Sequence, residues 1–284
     1  SPVLAAALLT VISFNSLFAG TVIGFLASAL LVLSVALPSP KPAAPRGIYD
    51  RTTRGMRIYL KTPRLRGLLA LTFAVSAAGA MVIVNTVVLV QSSFGLDQQA
   101  TAIALAAFGG GSMLAALALP RLLDRFADRP VMLVGAGLLV ATMLAGSLAG
   151  GYGTLLALWF IIGIGYAATQ TPTGRLIRRS SHPEDPPALF AAQFALSHAT
   201  WLLSYPLAGW LGATAGMQVT FIAMAAIAAC GVLAATQLWP QGDPVEIEHR
   251  HDDLPAGHPH LAGHGHSHTH AFVIDAEHTS WPGR

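Results

Sequence analysis

The sequence predicts an all-α protein that crosses a membrane several times, and three observations carry that prediction. Apolar residues make up 54% of the 284 and charged residues only 10%, against roughly 25% charged residues in ordinary soluble domains. The apolar residues also fall in solid blocks rather than the short alternating segments of a β-barrel. Finally, the basic residues are confined to every second connection between blocks.

Seven blocks approach or exceed the roughly 20 residues a helix needs to cross a bilayer. They lie at about 17–37, 68–92, 101–119, 131–149, 154–172, 188–210 and 217–238. An eighth, Val3 to Ile12, is too short to span and reads as the end of a helix, and the opening at Ser1 agrees with a chain cut at its front. A secretory signal is the weaker alternative, because no basic run precedes the apolar one. The connection from Ser39 to Gly67 is basic and opens Pro-rich. From Gly47 to Leu60 it is either a solvated linker or an interfacial amphipathic helix with Ile48, Met56, Ile58, Tyr59 and Leu60 toward lipid. Four sections follow from this pattern: residues 1–38, a basic loop at 39–67, six spans at 68–239 and a tail at 240–284.

Fourteen Lys and Arg residues sit in the connections at 39–67, 120–130 and 173–187, and none in those at 93–100, 150–153 and 211–216. The positive-inside rule then places the basic loops, and the tail beyond Trp239, in the cytoplasm of an inner membrane. Topology explains these charges without a nucleic-acid partner. The single cysteine, Cys230, falls inside the last span and reads as a small buried apolar residue.

No Asp, Glu, Lys or Arg lies well inside a span, so His198 is the only ionisable group there. Such groups are expensive in hydrocarbon and usually mark function. His198 is either a neutral ring bonded to a neighbouring helix or a proton or metal step in a transport path; Ser197, Trp201 and Tyr205 group with it at helical spacing, and Gln193 lies five residues before it. Asn85, Tyr166, Thr169 and Thr171 read as interhelical glue. Gln170 is singled out as a path residue with Asn85, because Pro172 interrupts the helix close by and frees carbonyls. Gly109 to Gly111, Gly163 and Gly165 predict close helix packing or a hinge; no strand precedes them, so they do not form a phosphate loop.

The tail reads HGHSHTH from His264 to His270. Imidazole and carboxylate without thiolate suit nickel, cobalt, zinc or copper(II); the tail also holds His249, His251 and His278, and His258, His260, His264, His266, His268 and His270 are the candidate metal ligands. The rival reading is a low-complexity or added segment with no role. The tail is too polar to fold by itself and is expected to be disordered. No other cofactor is required, and no HExxH or GxSxG motif suggests an enzyme.

The connection PRLLDRFADRPVML, Pro120 to Leu133, resembles the loop signature of the major facilitator superfamily, usually G-x-L-a-D-r-x-G-r-R/K. Asp124, Arg125, Phe126 and Arg129 match; Pro120 and Ala127 replace the two glycines, and Asp128 stands where a base is common. SPVLAAALL at the start is similar to the G-P-x-x-G-G motif of the family's antiporters. The resemblance implies a helical bundle holding the end of one half and the whole second six-helix half of a monomeric secondary transporter. It implies alternating access, proton antiport and gating by Asp124, Arg125 and Arg129. With the tail, it is similar to nickel- and cobalt-resistance exporters, which implies lipid, protons and a divalent metal as partners. Efflux of a small organic compound with an incidental tail, and a membrane metal buffer or sensor, stand as the alternatives.

Overall fold

The computed structural model describes residues 13–35, 47–244, 246–251, 254–255, 257–261, 265–275 and 277–282. Val3 to Ile12, the Ser1-Pro2 motif, Lys41, Arg46 and His264 lie outside them. The described chain is almost wholly helical: α1 (Phe14–Ser34), α2 (Ile48–Lys61), α3 (Pro63–Val87), α4 (Gln98–Arg125), α5 (Asp128–Gly146), α6 (Tyr152–Gln170), α7 (Thr173–Arg179), α8 (Pro186–Thr214) and α9 (Met217–Leu238). Two short strands follow, β1 (Glu246–Arg250) and β2 (Ser267–Ala271).

All seven apolar blocks are helices. Among the described residues, six helices are long and apolar enough to cross a membrane. The seventh block is α8, which has the length, 29 residues, but carries Gln193, Ser197, His198, Ser204 and Tyr205 along it. Helix α3 is the most buried span and sits at the centre, packed by α9, α8, α5 and α6. Helix α4 lies mainly on α6, and α8 mainly on α3. Almost every described side chain of α1 is exposed, as suits a helix whose surroundings are hydrocarbon.

Lipid tails are as apolar as leucine, so helices in a membrane associate by close approach of small residues. A Cβ added at Gly111 would lie 1.9 Å from the Phe160 carbonyl oxygen, and one at Gly163 would lie 2.1 Å from that of Phe108. These two glycines set the α4–α6 contact, and Gly165 does the same between α6 and α5. Gly109 meets nothing within 4 Å, so only part of the glycine run serves packing.

Three expectations change. Helix α2 is amphipathic, but Ile58 and Tyr59 are buried in protein rather than turned to lipid. The Tyr59 hydroxyl donates to Gln193 of α8, and Gly55 lets the α2 backbone meet the Ala188 carbonyl. Cys230 is exposed, not buried; α9 turns it outward beside Ala226 and Ile227. The tail, expected to be disordered, forms an antiparallel ladder with His249 opposite His268. A lone hairpin is marginal in water, but this one buries Phe272 and Ile274 in a core continuous with the bundle.

Candidate functional site

Three groups of side chains stand out, and two of them lie at the basic-loop end. The first is the polar and aromatic face of α8, whose helical period brings Trp201 and Tyr205 onto one side. Their ring centroids are 4.9 Å apart, and Trp201 lies 6.5 Å from Tyr166 of α6. Tyr166 meets Phe108 of α4 at 5.4 Å, edge to face, and hydrogen-bonds the Gln170 side chain one turn on. Gly79 of α3 makes room for Trp201, since a Cβ there would meet its ring at 2.6 Å. Gln170 and Tyr205 therefore belong to one aromatic patch, joined through Tyr166 and Trp201.

The other predicted path residues are placed differently. Asn85 is buried and donates to the Ala208 carbonyl at 3.3 Å, which ties α3 to α8. Gln193 is buried against Tyr59. His198 is exposed; its Nδ1 meets the Phe194 carbonyl at 2.8 Å and its ring stacks on Phe194 at 3.9 Å. Both contacts lie within α8, so His198 presents Nε2 outward one turn from Trp201.

The second group is ionic. Asp124 and Arg125 end α4 exposed, while Arg129 donates to the Trp239 carbonyl at 2.9 Å. The buried carboxylate of this loop is Asp128, 1% exposed in the first turn of α5. It pairs with Arg175 at 3.1 Å and Arg179 at 3.8 Å. Arg179 also donates to Asp243 at 2.9 Å, and Asp243 pairs with buried Arg64 at 3.2 Å and accepts from Trp239 Nε1 at 2.9 Å. One alternating chain of charge thus joins α5, α7, α3 and the start of the tail. Nearby, Arg54 holds the buried Asp185 through two bonds, of 2.6 and 2.9 Å. That carboxylate raises the Arg54 guanidinium above its ordinary value. Sequence reading passed over Asp128 because it departs from the motif, and over Asp243 and Arg64 because their partners are far away in the chain.

The third group is the histidines of the tail. A strand places alternate residues on one face, so β2 turns His268 and His270 the same way and β1 adds His249. Ring nitrogens of His249, His260, His270 and His278 lie within 4.8 Å of one another, as do those of His249, His251, His260 and His268. Burial and the neighbouring rings hold His260 down at about 4, so it is neutral at physiological pH. Burial likewise lowers His249. Neutral, clustered imidazoles are the form that binds a transition metal. Of the predicted ligands, His260, His268 and His270 converge. His258 accepts from the His260 backbone N–H at 3.3 Å, and His266 Nδ1 meets the His251 carbonyl at 2.6 Å; both stay outside the two groups. His249, His251 and His278 replace them. Period-two spacing of histidine was the available signal, but the pairing of distant strands was not in it.

Residues 68–258 match the model of the Major Facilitator Superfamily. No curated protein matches the chain.

Proposed function

The chain belongs to the major facilitator superfamily and is a multi-pass membrane transporter; from that premise we propose that it exports a divalent transition metal, nickel or cobalt first, in exchange for protons. The observation that carries the cargo is the converging histidine cluster beside the basic-loop end of the bundle. Under the positive-inside rule that end faces the cytoplasm of the inner membrane, so the cluster collects the ion on the side from which an exporter loads.

In this reading the spans rock about their glycine contacts between two access states. The chain Asp128, Arg175, Arg179, Asp243 and Arg64 holds the basic-loop end in one state, because such pairs form and break as units. Asp124 and Arg125, exposed on the same face, are the groups available to pair across it when it closes. His198, with its outward ring nitrogen, serves as the proton or metal step in the path.

A second reading has its own observation. Phe108, Tyr166, Trp201 and Tyr205 form an aromatic patch, which suits a flat or cationic organic cargo better than a hydrated metal ion. Uptake by inverted vesicles holding the full-length protein under an imposed proton gradient separates the two. Gradient-dependent accumulation of nickel or cobalt, reduced at low metal when His249 and His278 become alanine, supports metal export. No metal flux above empty vesicles, with gradient-dependent uptake of an organic cation, supports the second.

A further inference from the structure

The tail cluster is oriented as well as crowded. Nδ1 of His249, His270 and His278 meets an oxygen in each case: the Ile247 carbonyl at 2.9 Å, the Ala271 carbonyl at 2.9 Å and Asp275 Oδ1 at 2.8 Å. A hydrogen bond at one ring nitrogen fixes the tautomer and leaves the other as the acceptor. The Nε2 lone pairs of these rings are therefore the free ones. His278 Nε2 and His249 Nε2 stand 3.0 Å apart, and His270 Nε2 is buried with no hydrogen-bond partner among the described residues.

Two lone pairs at 3.0 Å repel unless a positive charge lies between them. Metal–imidazole bonds of about 2.0–2.1 Å place tetrahedral ligand nitrogens roughly 3.4 Å apart. The His249–His278 pair needs to open by only a few tenths of an ångström to hold an ion, and the remaining ligand atoms, within 4.8 Å of one another, close by up to about 1.4 Å. The pair of His278 with Asp275 is the carboxylate–histidine arrangement that orients ligands around metals.

The position of His278 in the chain gives the site a consequence. The next residue, Thr279, accepts from Lys61 Nζ through its carbonyl at 2.8 Å. Trp281 lies beneath the guanidinium of Arg64, 5.1 Å from ring centre to Cζ, and packs on Phe272 at 5.0 Å. A ligand to the ion and the anchors to the α2–α3 junction are thus one to three residues apart.

We infer that one borderline divalent ion bound by His249, His260, His270 and His278, with Asp275 orienting His278, clamps residues 277–282 onto Lys61 and Arg64. Metal occupancy then sets whether the tail is docked on the basic-loop end of the bundle. This rests on the transporter reading only for what the docked end controls; the docking itself is independent of cargo. Nickel, cobalt and zinc fit the donor set, whereas calcium and magnesium require oxygen ligands.

The test is amide hydrogen exchange on the full chain in detergent micelles, with and without Ni(II), read on peptides covering residues 58–66 and 277–282. Ni(II) and Zn(II) are expected to slow exchange at least tenfold in both peptides, and Mg(II) to leave them unchanged. His278→Ala removes both effects while peptides of α3 and α9 keep their protection. Trp281→Ala keeps Ni(II) bound but loses the protection at 58–66. Ni(II) bound without a change in either peptide overturns the inference, as does a His278→Ala variant that responds like the parent. A chain that docks its tail on Ni(II) but moves no metal in vesicles keeps this inference and removes the metal-export reading, so the two fail separately.

Discussion

Two polar clusters lie side by side at the basic-loop end, and they are built on opposite plans. In the ionic chain every carboxylate faces a guanidinium: Asp128 meets Arg175 and Arg179, and Asp243 meets Arg179 and Arg64. In the histidine cluster like faces like, ring nitrogen to ring nitrogen at 3.0 and 3.1 Å. The first is balanced in charge, so that each buried charge has its counter-charge inside the protein, although Arg64 Nε, Asp128 Oδ1 and Arg179 Nε make no hydrogen bond among the described residues. In the second, His249 and His278 aim acceptors at one another, and that pair is satisfied only by something positive. The difference teaches that a crowded polar group is a structural joint when its charges alternate and a binding site when its donors repeat.

The comparison is broken most severely by removing a charge from the ionic chain. Asp243→Ala leaves Arg64, 1% exposed, without its counter-ion, at a cost of about 3–5 kcal/mol. A thermal unfolding midpoint in detergent unchanged from the parent would sink the account of this chain as a joint. Next comes the histidine side. Asp275→Ala removes the oxygen that orients His278, so Ni(II) affinity measured by calorimetry should fall about 10–100-fold while the unfolding of the bundle is unaffected. Equal affinity in the two proteins means that Asp275 does not orient a metal-bound His278.

Smaller effects sharpen the boundary between joint and site. Arg54→Lys keeps the charge but loses the forked contact with Asp185, and should lower stability by about 1 kcal/mol; a stability matching the parent would show that α2 is held to α8 by Tyr59 and Gly55 instead. Smallest in stability is His198→Ala. The ring is exposed and bonded only within its own helix, so unfolding should shift by less than about 0.5 kcal/mol. If His198 serves the path, the same variant loses gradient-dependent transport; retained transport removes it from the path.

Much of the fold was legible. The seven apolar blocks are helices because a bilayer demands length and an unbroken apolar run, both of which are local properties of a sequence. Helix α2 was legible as amphipathic, yet which partner its apolar face meets was not, since protein and lipid reward the same pattern. The path candidates divided for the same reason. Asn85 and Gln193 look like Gln170 in one dimension, and only the neighbouring helices turn the first two into buried ties and the third into part of an aromatic patch. In the tail, composition announced a metal-seeking segment but misjudged its order, because the surface against which Phe272 and Ile274 bury belongs to the bundle.

By itself the sequence determined that this chain is a helical membrane protein, where its long apolar helices lie, which loops share one end and that its tail is rich in imidazole. These depend on hydrophobicity, length and charge along the chain, which need no knowledge of contacts. The tertiary structure alone decided that Asp128 and Asp185 are buried and that Asp243 joins Arg64 to Arg179. It also decided that His249 and His278 join His260 and His270, and that the tail rests on Lys61 and Arg64. Each of these joins residues distant in the chain, some more than a hundred positions apart, and the free energy of such a pair exists only once the helices have brought it together.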